Sequence, residues 1–411
     1  MMKFLINVIS IIVLLQCCNN KNTNQTQAEP NVKPLSENLV KSIKISVDNN
    51  EQREINKNCT ESLINAVQLI DSARIRKILS DGCDVNQKLT TGHNYYAKDS
   101  TYKTALSHSA NYDITKLLLE SGANPNIELG IRSPLEFAVL QNRNDIARLL
   151  IANGADVNHF NKFTEYQSPL IAAVSTGNIE ALKLLIANKA KFKPYAKNIH
   201  EPLHKAIRHK RLEVAKFLIQ NGVSTRTKIT PKNLEGEFGE CVPCPYEIEP
   251  IHSAAQISDS QIAIKFIDLL VTNGANVNAV NKHKQTALSY IANKGSSEIA
   301  KYLIEKGADV DSKSVSTAAA YQNNEFLQVL LNNGGNPNEN TKDNFTPLNQ
   351  AIFCCGDGFN DETVQNRIET VNILLEYGAK VDDSLLNKIR KQERLKPILS
   401  ILEKHLSLIH I

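Results

Sequence analysis

Six cysteines outside the N-terminal segment are the residues of this chain best able to do chemistry: Cys59, Cys83, Cys241, Cys244, Cys354 and Cys355. Cys241 and Cys244 form a Cys-x-x-Cys pair, a spacing that can lower the pKa of a thiol in redox proteins. The pair lies in a glutamate-rich segment, however, and acidic neighbours raise the pKa of a thiol. We therefore predict a loop-closing disulfide between Cys241 and Cys244, although six cysteines permit fifteen pairings. A thiol-redox protein using this pair is the alternative function.

Other catalytic and binding motifs are missing from the sequence. It contains no glycine-rich phosphate loop after a strand, no nucleophile elbow and no histidine pair at metal-ligand spacing. Asp357, Asp361 and Glu362 lack the ordered alternation of a calcium loop. The net charge of +4 has no basic stripe interleaved with stacking aromatics. We predict no enzyme activity, no cofactor, no metal site and no nucleic-acid binding.

A short phrase recurs along the chain: Gly, a small apolar residue, Asp or Asn, another apolar residue, then Asn or Asp. Nine copies, two of them degenerate, begin at positions 82, 122, 154, 189, 222, 274, 307, 334 and 378. The intervals between them are 40, 32, 35, 33, 52, 33, 27 and 44 residues. One such unit cannot bury its apolar face alone, so the units must stack.

Two short helical patterns precede each phrase. In one unit, Pro169 is suited to the first turn of a helix. A backbone N–H at that position has no hydrogen-bond partner within the helix, so the missing N–H of proline costs nothing there. Leu170, Ala173 and Val174 follow on one helical face, and a second apolar stripe covers 179–188. Each unit is therefore predicted to be a helix–turn–helix.

These units resemble the ankyrin repeat, whose unit is about 33 residues long. The family's Thr-Pro-Leu-His slot is filled by the segments that begin at Ser133, Glu201, Glu249, Thr286 and Thr346. The resemblance implies an all-α ankyrin-repeat solenoid of about nine helix–turn–helix units with hairpin fingers, over residues 59–383. Residues 384–411, with apolar residues at helical spacing, are predicted to form a helical C-terminal cap. The resemblance also implies that His204 and His252 hydrogen-bond the repeat turns.

Irregular intervals mark enlarged or missing fingers. Gln87 to Lys103 and Ser224 to Ile248 are predicted to be long fingers, whereas Asp311 to Val315 leave almost no room for one. In ankyrin proteins the concave face, made of finger tips and first helices, grips another protein, and large aromatics are enriched in such contacts. We predict partner contacts from the aromatic residues of the N-terminal fingers, the alternative being a finger-to-finger structural ladder. These residues are Tyr95, Tyr96, Tyr102, Phe160, Phe163, Tyr166 and Tyr195.

The N-terminus has the pattern of an export signal. Lys3 precedes a short apolar run from Phe4 to Leu15, which is shorter than the roughly 20 residues that span a bilayer. Leu14, three positions before Cys17, resembles the lipobox of bacterial lipoproteins, although Gln16 stands where that family prefers a small residue. Residues 1–17 are predicted to be a signal peptide with this lipobox, and Cys17 to be lipidated. Cys18 as the lipidated residue and a plain secretory signal are the alternatives.

The segment 18–58 is rich in Asn, Lys, Gln, Thr, Glu and Pro and is predicted to be a disordered tether. We therefore expect a monomeric protein-interaction module, lipid-anchored to a membrane of the bacterial cell envelope. It would act there as a scaffold or as an inhibitor or immunity-type binder of a partner protein. A secreted, host-directed ankyrin effector is a further alternative.

Overall fold

Paired helices form nearly all of the regular structure in the computed structural model. The structure describes residues 58–93, 100–127, 132–159, 168–192, 202–226, 248–340, 345–353 and 361–409. The first pairs are α1 (58–68) and α2 (Ser72–Ser80), α3 (Ala105–His108) and α4 (Tyr112–Glu120), α5 (Pro134–Leu140) and α6 (Asn144–Ala152), α7 (Pro169–Thr176) and α8 (Ile179–Ala187), and α9 (Pro202–Arg208) and α10 (Leu212–Gln220).

The series continues to the C-terminus without a change of pattern. The later pairs are α11 (Pro250–Ala255) and α12 (Ser260–Thr272), α13 (Ala287–Ile291) and α14 (Ser297–Glu305), α15 (Ser312–Ala320) and α16 (Asn324–Asn332), α17 (Pro347–Phe353) and α18 (Asp361–Glu376), then α19 (Asp383–Arg390), a 3-10 turn (Glu393–Leu395) and α20 (Lys396–Ile409). Within the described ranges this gives nine helix pairs and a helical cap. The predicted solenoid of about nine helix–turn–helix units is confirmed.

The start of several first helices is set by a hydroxyl cap followed by proline. The Ser133 hydroxyl accepts a hydrogen bond from the Glu136 amide at 3.2 Å, and Ser168 does the same for Ile171 at 3.2 Å. Each cap satisfies a backbone N–H that has no partner inside the helix. The proline that follows donates no hydrogen bond there and already has a helical φ.

Each second helix ends in a left-handed turn at the first residue of the repeated phrase. The glycines at this position have φ between +83° and +92°. In one copy the Gly154 amide donates to Ile151 O and the Ala155 amide to Leu150 O, both at 3.0 Å, which closes the last turn of the helix. Lys189 holds the same place in the fourth unit with φ +66°, a conformation that a side chain disfavours.

A continuous core fills the space between two rows of helices. First helices contact the first helices of neighbouring units, and second helices contact second helices. One cluster of buried side chains extends from Leu63 to Leu402. Alanines such as Ala138 and Ala206 are buried at the helix contacts, where their small size lets the backbones approach closely.

The first enlarged finger contains a β-hairpin. Strands β1 (Leu89–His93) and β2 (Ser100–Lys103) pair antiparallel, with an irregular register between Thr90 and Gly92. This is the finger predicted at 87–103, and it projects from an otherwise helical unit.

The seventh and eighth units are joined without such a finger. Asp311, the last residue of the seventh phrase, caps α15 directly by accepting from the Ser314 amide at 2.7 Å. The missing finger predicted at 311–315 is confirmed.

The chain closes on a helical cap, as predicted. Leu395, Ile398 and Leu402 are completely buried, while Lys388, on α19, and Lys391, the residue after α19, are exposed. None of the described helices is long and apolar enough to cross a membrane.

A disulfide closes the first unit. Cys59 on α1 bonds Cys83 in the turn after α2, with Cα atoms 5.9 Å apart. From the sequence alone, this pair could not be selected from the fifteen possible pairings of the six cysteines.

Candidate partner-binding surface

The last asparagine of the repeated phrase joins each finger to the next unit. Asn278 Nδ2 donates to the Gly307 carbonyl at 3.0 Å, and its Oδ1 accepts from the Asp309 amide at 2.9 Å. The Asn278 amide itself donates to Asn276 Oδ1 at 3.0 Å, which fixes the turn from which the side chain reaches out. The same two bonds to the next unit are made by Asn86, Asn126, Asn158 and Asn338.

The other four phrases do not end in asparagine; the fourth ends at Lys193, outside the described residues, and the side chains of the remaining three act differently. Arg226 replaces the asparagine in the fifth unit, and its Nε donates to the Gly274 carbonyl at 2.7 Å. Asp311 and Asp382 instead cap the helix that follows, with Asp382 accepting from the Leu385 amide at 2.7 Å. An amide or guanidinium at this position therefore links units, whereas a carboxylate starts a helix.

His252 reaches a repeat turn, as the resemblance implied, whereas His204 contacts a side chain on a helix of the next unit. His252 is fully buried, its Nδ1 accepts from the Glu249 amide at 3.3 Å, and its Nε2 lies 3.0 Å from the Gln285 carbonyl of the next unit. His204 Nδ1 lies 2.9 Å from the Ser253 hydroxyl, again in the next unit. Both rings join neighbouring units.

A glutamate occupies the histidine slot of the third unit. Glu136 is 1% exposed, and its Oε1 lies 3.6 Å from Nε of Arg132. Its Oε2 is buried without a hydrogen-bond partner in the described part of the chain. Burial raises the pKa of the Glu136 carboxyl to about 7, while Arg132 acts in the opposite direction.

Aromatic side chains emerge from the first helices at one repeat position. Phe137 and Tyr290 each follow the histidine slot of their unit. Phe137 is 39% exposed beside a cavity of about 30 Å³ that is also lined by residues of α3 and α4. Tyr290 is half-buried with its ring edge-on to His252, at 5.9 Å between ring centroids. Sequence reasoning missed these residues, although their place in the repeat could have revealed them.

Most of the predicted site residues fall outside the described ranges. This holds for the finger aromatics Tyr95, Tyr96, Phe160, Phe163, Tyr166 and Tyr195, and for Cys17, Cys18, Cys241 and Cys244. Tyr102 lies on β2, where its backbone is paired with Thr90. The predicted contacts and the predicted Cys241–Cys244 disulfide therefore stay predictions.

The charged groups of the second helices pair with one another. Asp268 on α12 accepts from the hydroxyl of Tyr302, on α14, at 2.8 Å and from Nζ of Lys306, the residue after α14, at 2.7 Å. These bonds hold the pKa of Asp268 below its usual range. The group joins two neighbouring helices and is half-exposed rather than set in a cleft. In the part of the chain that the structure describes, no cluster of three or more His, Cys, Asp or Glu could hold a metal ion.

A family model for ankyrin repeats matches the chain in three copies, at residues 63–161, 135–229 and 237–314. Because these segments cover more than half of its length, the chain belongs to the ankyrin-repeat family. It is a protein–protein interaction module, and the ankyrin-repeat fold is typically non-catalytic.

Known proteins resemble it over different lengths. The probable 26S proteasome regulatory subunit p28 of Saccharomyces cerevisiae is 29% identical over 216 residues, 49% of this chain and 84% of the yeast protein. The ankyrin repeat and KH domain-containing protein CBG24701 of Caenorhabditis briggsae is 27% identical over 269 residues, 62% of this chain and 9% of that protein. The crystal structure of the human ASB11 ankyrin repeat domain has a TM-score of 0.45 and 22% identity, covering 60% of this chain and 98% of that one.

Proposed function

We propose that this protein binds a partner protein at the bacterial cell envelope, as an anchored scaffold or as an inhibitor or immunity-type binder. The observation that carries the proposal is the pair of partly exposed rings, Phe137 and Tyr290, at one position of two first helices. Each ring is held on a rigid first helix, where it can bury much area for little lost rotamer entropy, as contact hot spots do. The finger aromatics predicted from the sequence would extend this surface.

The envelope location is supported by chemistry at the N-terminal end of the solenoid. A structural disulfide such as Cys59–Cys83 forms and persists in oxidising compartments and is rare in the cytosol. The apolar run before Cys17 provides an export signal of suitable length. A lipid on Cys17 would place the solenoid at a membrane through the segment 18–58.

The binding function is tested by affinity capture with the full chain, expressed with its own N-terminus. We expect a discrete partner from the envelope fraction, with at least tenfold lower recovery by the variant Phe137→Ala/Tyr290→Ala. Tyr377→Ala, at the end of a second helix, is the matched control and should recover the partner normally. Equal recovery by all three proteins would exclude the first-helix rings from the contact, and recovery of no protein would count against the function.

The anchor is tested by mass spectrometry of the mature N-terminus. A diacylglyceryl modification on Cys17 is expected, and the same lipid on Cys18 would move the cleavage site by one residue. An unmodified N-terminus downstream of Cys18 would contradict anchoring and favour the secreted protein.

A further inference from the structure

An open groove of about 360 Å³ lies between the first helix of the ninth unit, α17, and the first helix of the cap, α19. We call it the cap groove. It is lined by Phe345, Asn349, Phe353, Lys388, Lys391 and Gln392. Its volume is in the range of sites that hold a ligand or an anchoring side chain.

One wall of the cap groove is aromatic. Phe345, just before the helix start at Thr346, is 44% exposed. Phe353 ends α17 and packs against the core while part of its ring remains accessible. Asn349 lies on α17, between Phe345 and Phe353 in the sequence. This wall of the groove therefore combines two aromatic rings with one amide. Such a surface fits an apolar side chain flanked by polar groups.

The opposite wall is cationic. Lys388 and Lys391 are three positions apart, which places them on one face of the end of α19. Both are exposed, and among the described residues neither has a carboxylate within ion-pair distance. Nearby cations are paired: Arg390 donates to Glu403 at 2.9 Å, and Lys396 pairs with Glu393. Among the described residues, the positive charge on the groove side of α19 is therefore not paired with a carboxylate.

We propose that the cap groove binds an acidic linear segment of a partner protein. An apolar side chain of that segment lies against Phe345 and Phe353, and its carboxylates face Lys388 and Lys391. Complementary charge beside an apolar anchor provides both orientation and selection against basic segments. The proposal rests on the proposed function, since it names the chemistry of the partner that the module holds.

The test uses the full mature chain and three labelled hexapeptides in fluorescence anisotropy at low salt. The first peptide has a central Leu-Phe pair with two aspartates on each side. The second has lysines in place of the aspartates, and the third has serines in place of Leu-Phe. We expect the first to bind at least tenfold more tightly than the other two. Equal binding of the lysine peptide, or no binding of the aspartate peptide, would overturn the proposal.

Substitutions test whether the aspartate peptide binds in the cap groove. Lys388→Glu/Lys391→Glu should weaken the aspartate peptide at least tenfold, and Phe345→Ala should also weaken it. Lys301→Glu/Lys404→Glu makes the same charge change at exposed positions on α14 and α20 and should bind normally. Unchanged binding by Lys388→Glu/Lys391→Glu overturns the assignment to this groove. Circular dichroism confirms that each variant is folded.

Partner capture separates the two proposals. If the partner is recovered equally by the wild type and by Lys388→Glu/Lys391→Glu, the cap groove is not its site and the proposed function still stands. If neither protein recovers a partner, the proposed function fails, while the groove is judged by its peptide affinities. Light scattering that shows a dimer lost in Lys388→Glu/Lys391→Glu would assign the groove to a second copy of this chain and overturn the proposal.

Discussion

Asn278 and Gly307 are 29 positions apart in the chain and are joined by a hydrogen bond of 3.0 Å from the asparagine side chain to the glycine carbonyl. The bond links the turn of one unit to the turn of the next. Its repetition at Asn86, Asn126, Asn158 and Asn338 makes the phrase a connector between units as well as a helix stop.

Removing this connector should destabilise the junction between two units. Asn278→Ala loses two hydrogen bonds and should lower the free energy of unfolding by about 1–2 kcal/mol. Asn278→Asp keeps an acceptor for the Asp309 amide but sets a carboxylate oxygen against the Gly307 carbonyl, so it should also be less stable than wild type. Urea denaturation measures the change, and hydrogen exchange at the Asp309 amide localises it. Glu305→Gln, an exposed change nearby, should stay within about 0.5 kcal/mol of wild type; an equal loss there would refute a specific role for Asn278.

Lys189→Gly should stabilise the protein. Lys189 occupies the left-handed turn with φ +66°, where the other copies have glycine, and a side chain in that region costs roughly 1 kcal/mol. The gain should be somewhat smaller than this, because glycine also gives the unfolded chain more freedom. Lys189→Ala removes the charge but keeps Cβ, so its stability should not rise. A higher free energy of unfolding for Lys189→Ala, or a lower one for Lys189→Gly, would show that the turn is unstrained.

Stability should depend on pH through Glu136. Because burial raises its pKa to about 7, above the ordinary value of 4.5, the folded state binds more protons than the unfolded state between those values. The Glu136 contribution is therefore fully present below about pH 4.5 and is lost as the pH rises towards 7. A shift of this size corresponds to roughly 3 kcal/mol.

Glu136→Gln should remove that dependence. The difference in unfolding free energy between the variant and wild type should grow from pH 5 to pH 8 in favour of the variant. Chemical denaturation at both pH values measures it, with Glu305→Gln as the exposed carboxylate control. A difference that is the same at both pH values would mean that Glu136 titrates normally.

Reduction should loosen the first unit. The Cys59–Cys83 disulfide closes a loop with a sequence separation of 24, for which the chain-entropy model gives about 3.5 kcal/mol. Hydrogen exchange within 58–93 should accelerate in reductant, while exchange in α13 and α14 should not. The variant Cys59→Ser/Cys83→Ser should behave like the reduced protein and show no response to reductant. Unchanged exchange after verified reduction would contradict the prediction.

The architecture could be predicted because it is repeated in the sequence. The left-handed turn favours glycine, and the core face needs apolar residues at helical spacing, so both features are visible one unit at a time. Even the fingerless junction at Asp311 followed from the short interval between copies.

The contacts between units were harder to predict. The reach of Asn278 to Gly307 depends on how neighbouring turns stack, and the Cys59–Cys83 pair depends on where α1 lies against the turn after α2. The sequence patterns did not single out Phe137, and its 39% exposure is seen only in the structure.

The bond from Arg226 to the Gly274 carbonyl spans the longest insertion in the chain, since residues 227–247 intervene before the next unit. Shorter fingers reach the equivalent carbonyl with an asparagine. The units on either side of this insertion are thus still joined through the same carbonyl, by one bond from Arg226 where asparagine makes two. In evolutionary terms, finger length can therefore change independently of the helices. One loop can grow, shrink or diverge under selection for a new partner while the helices that carry it stay in place.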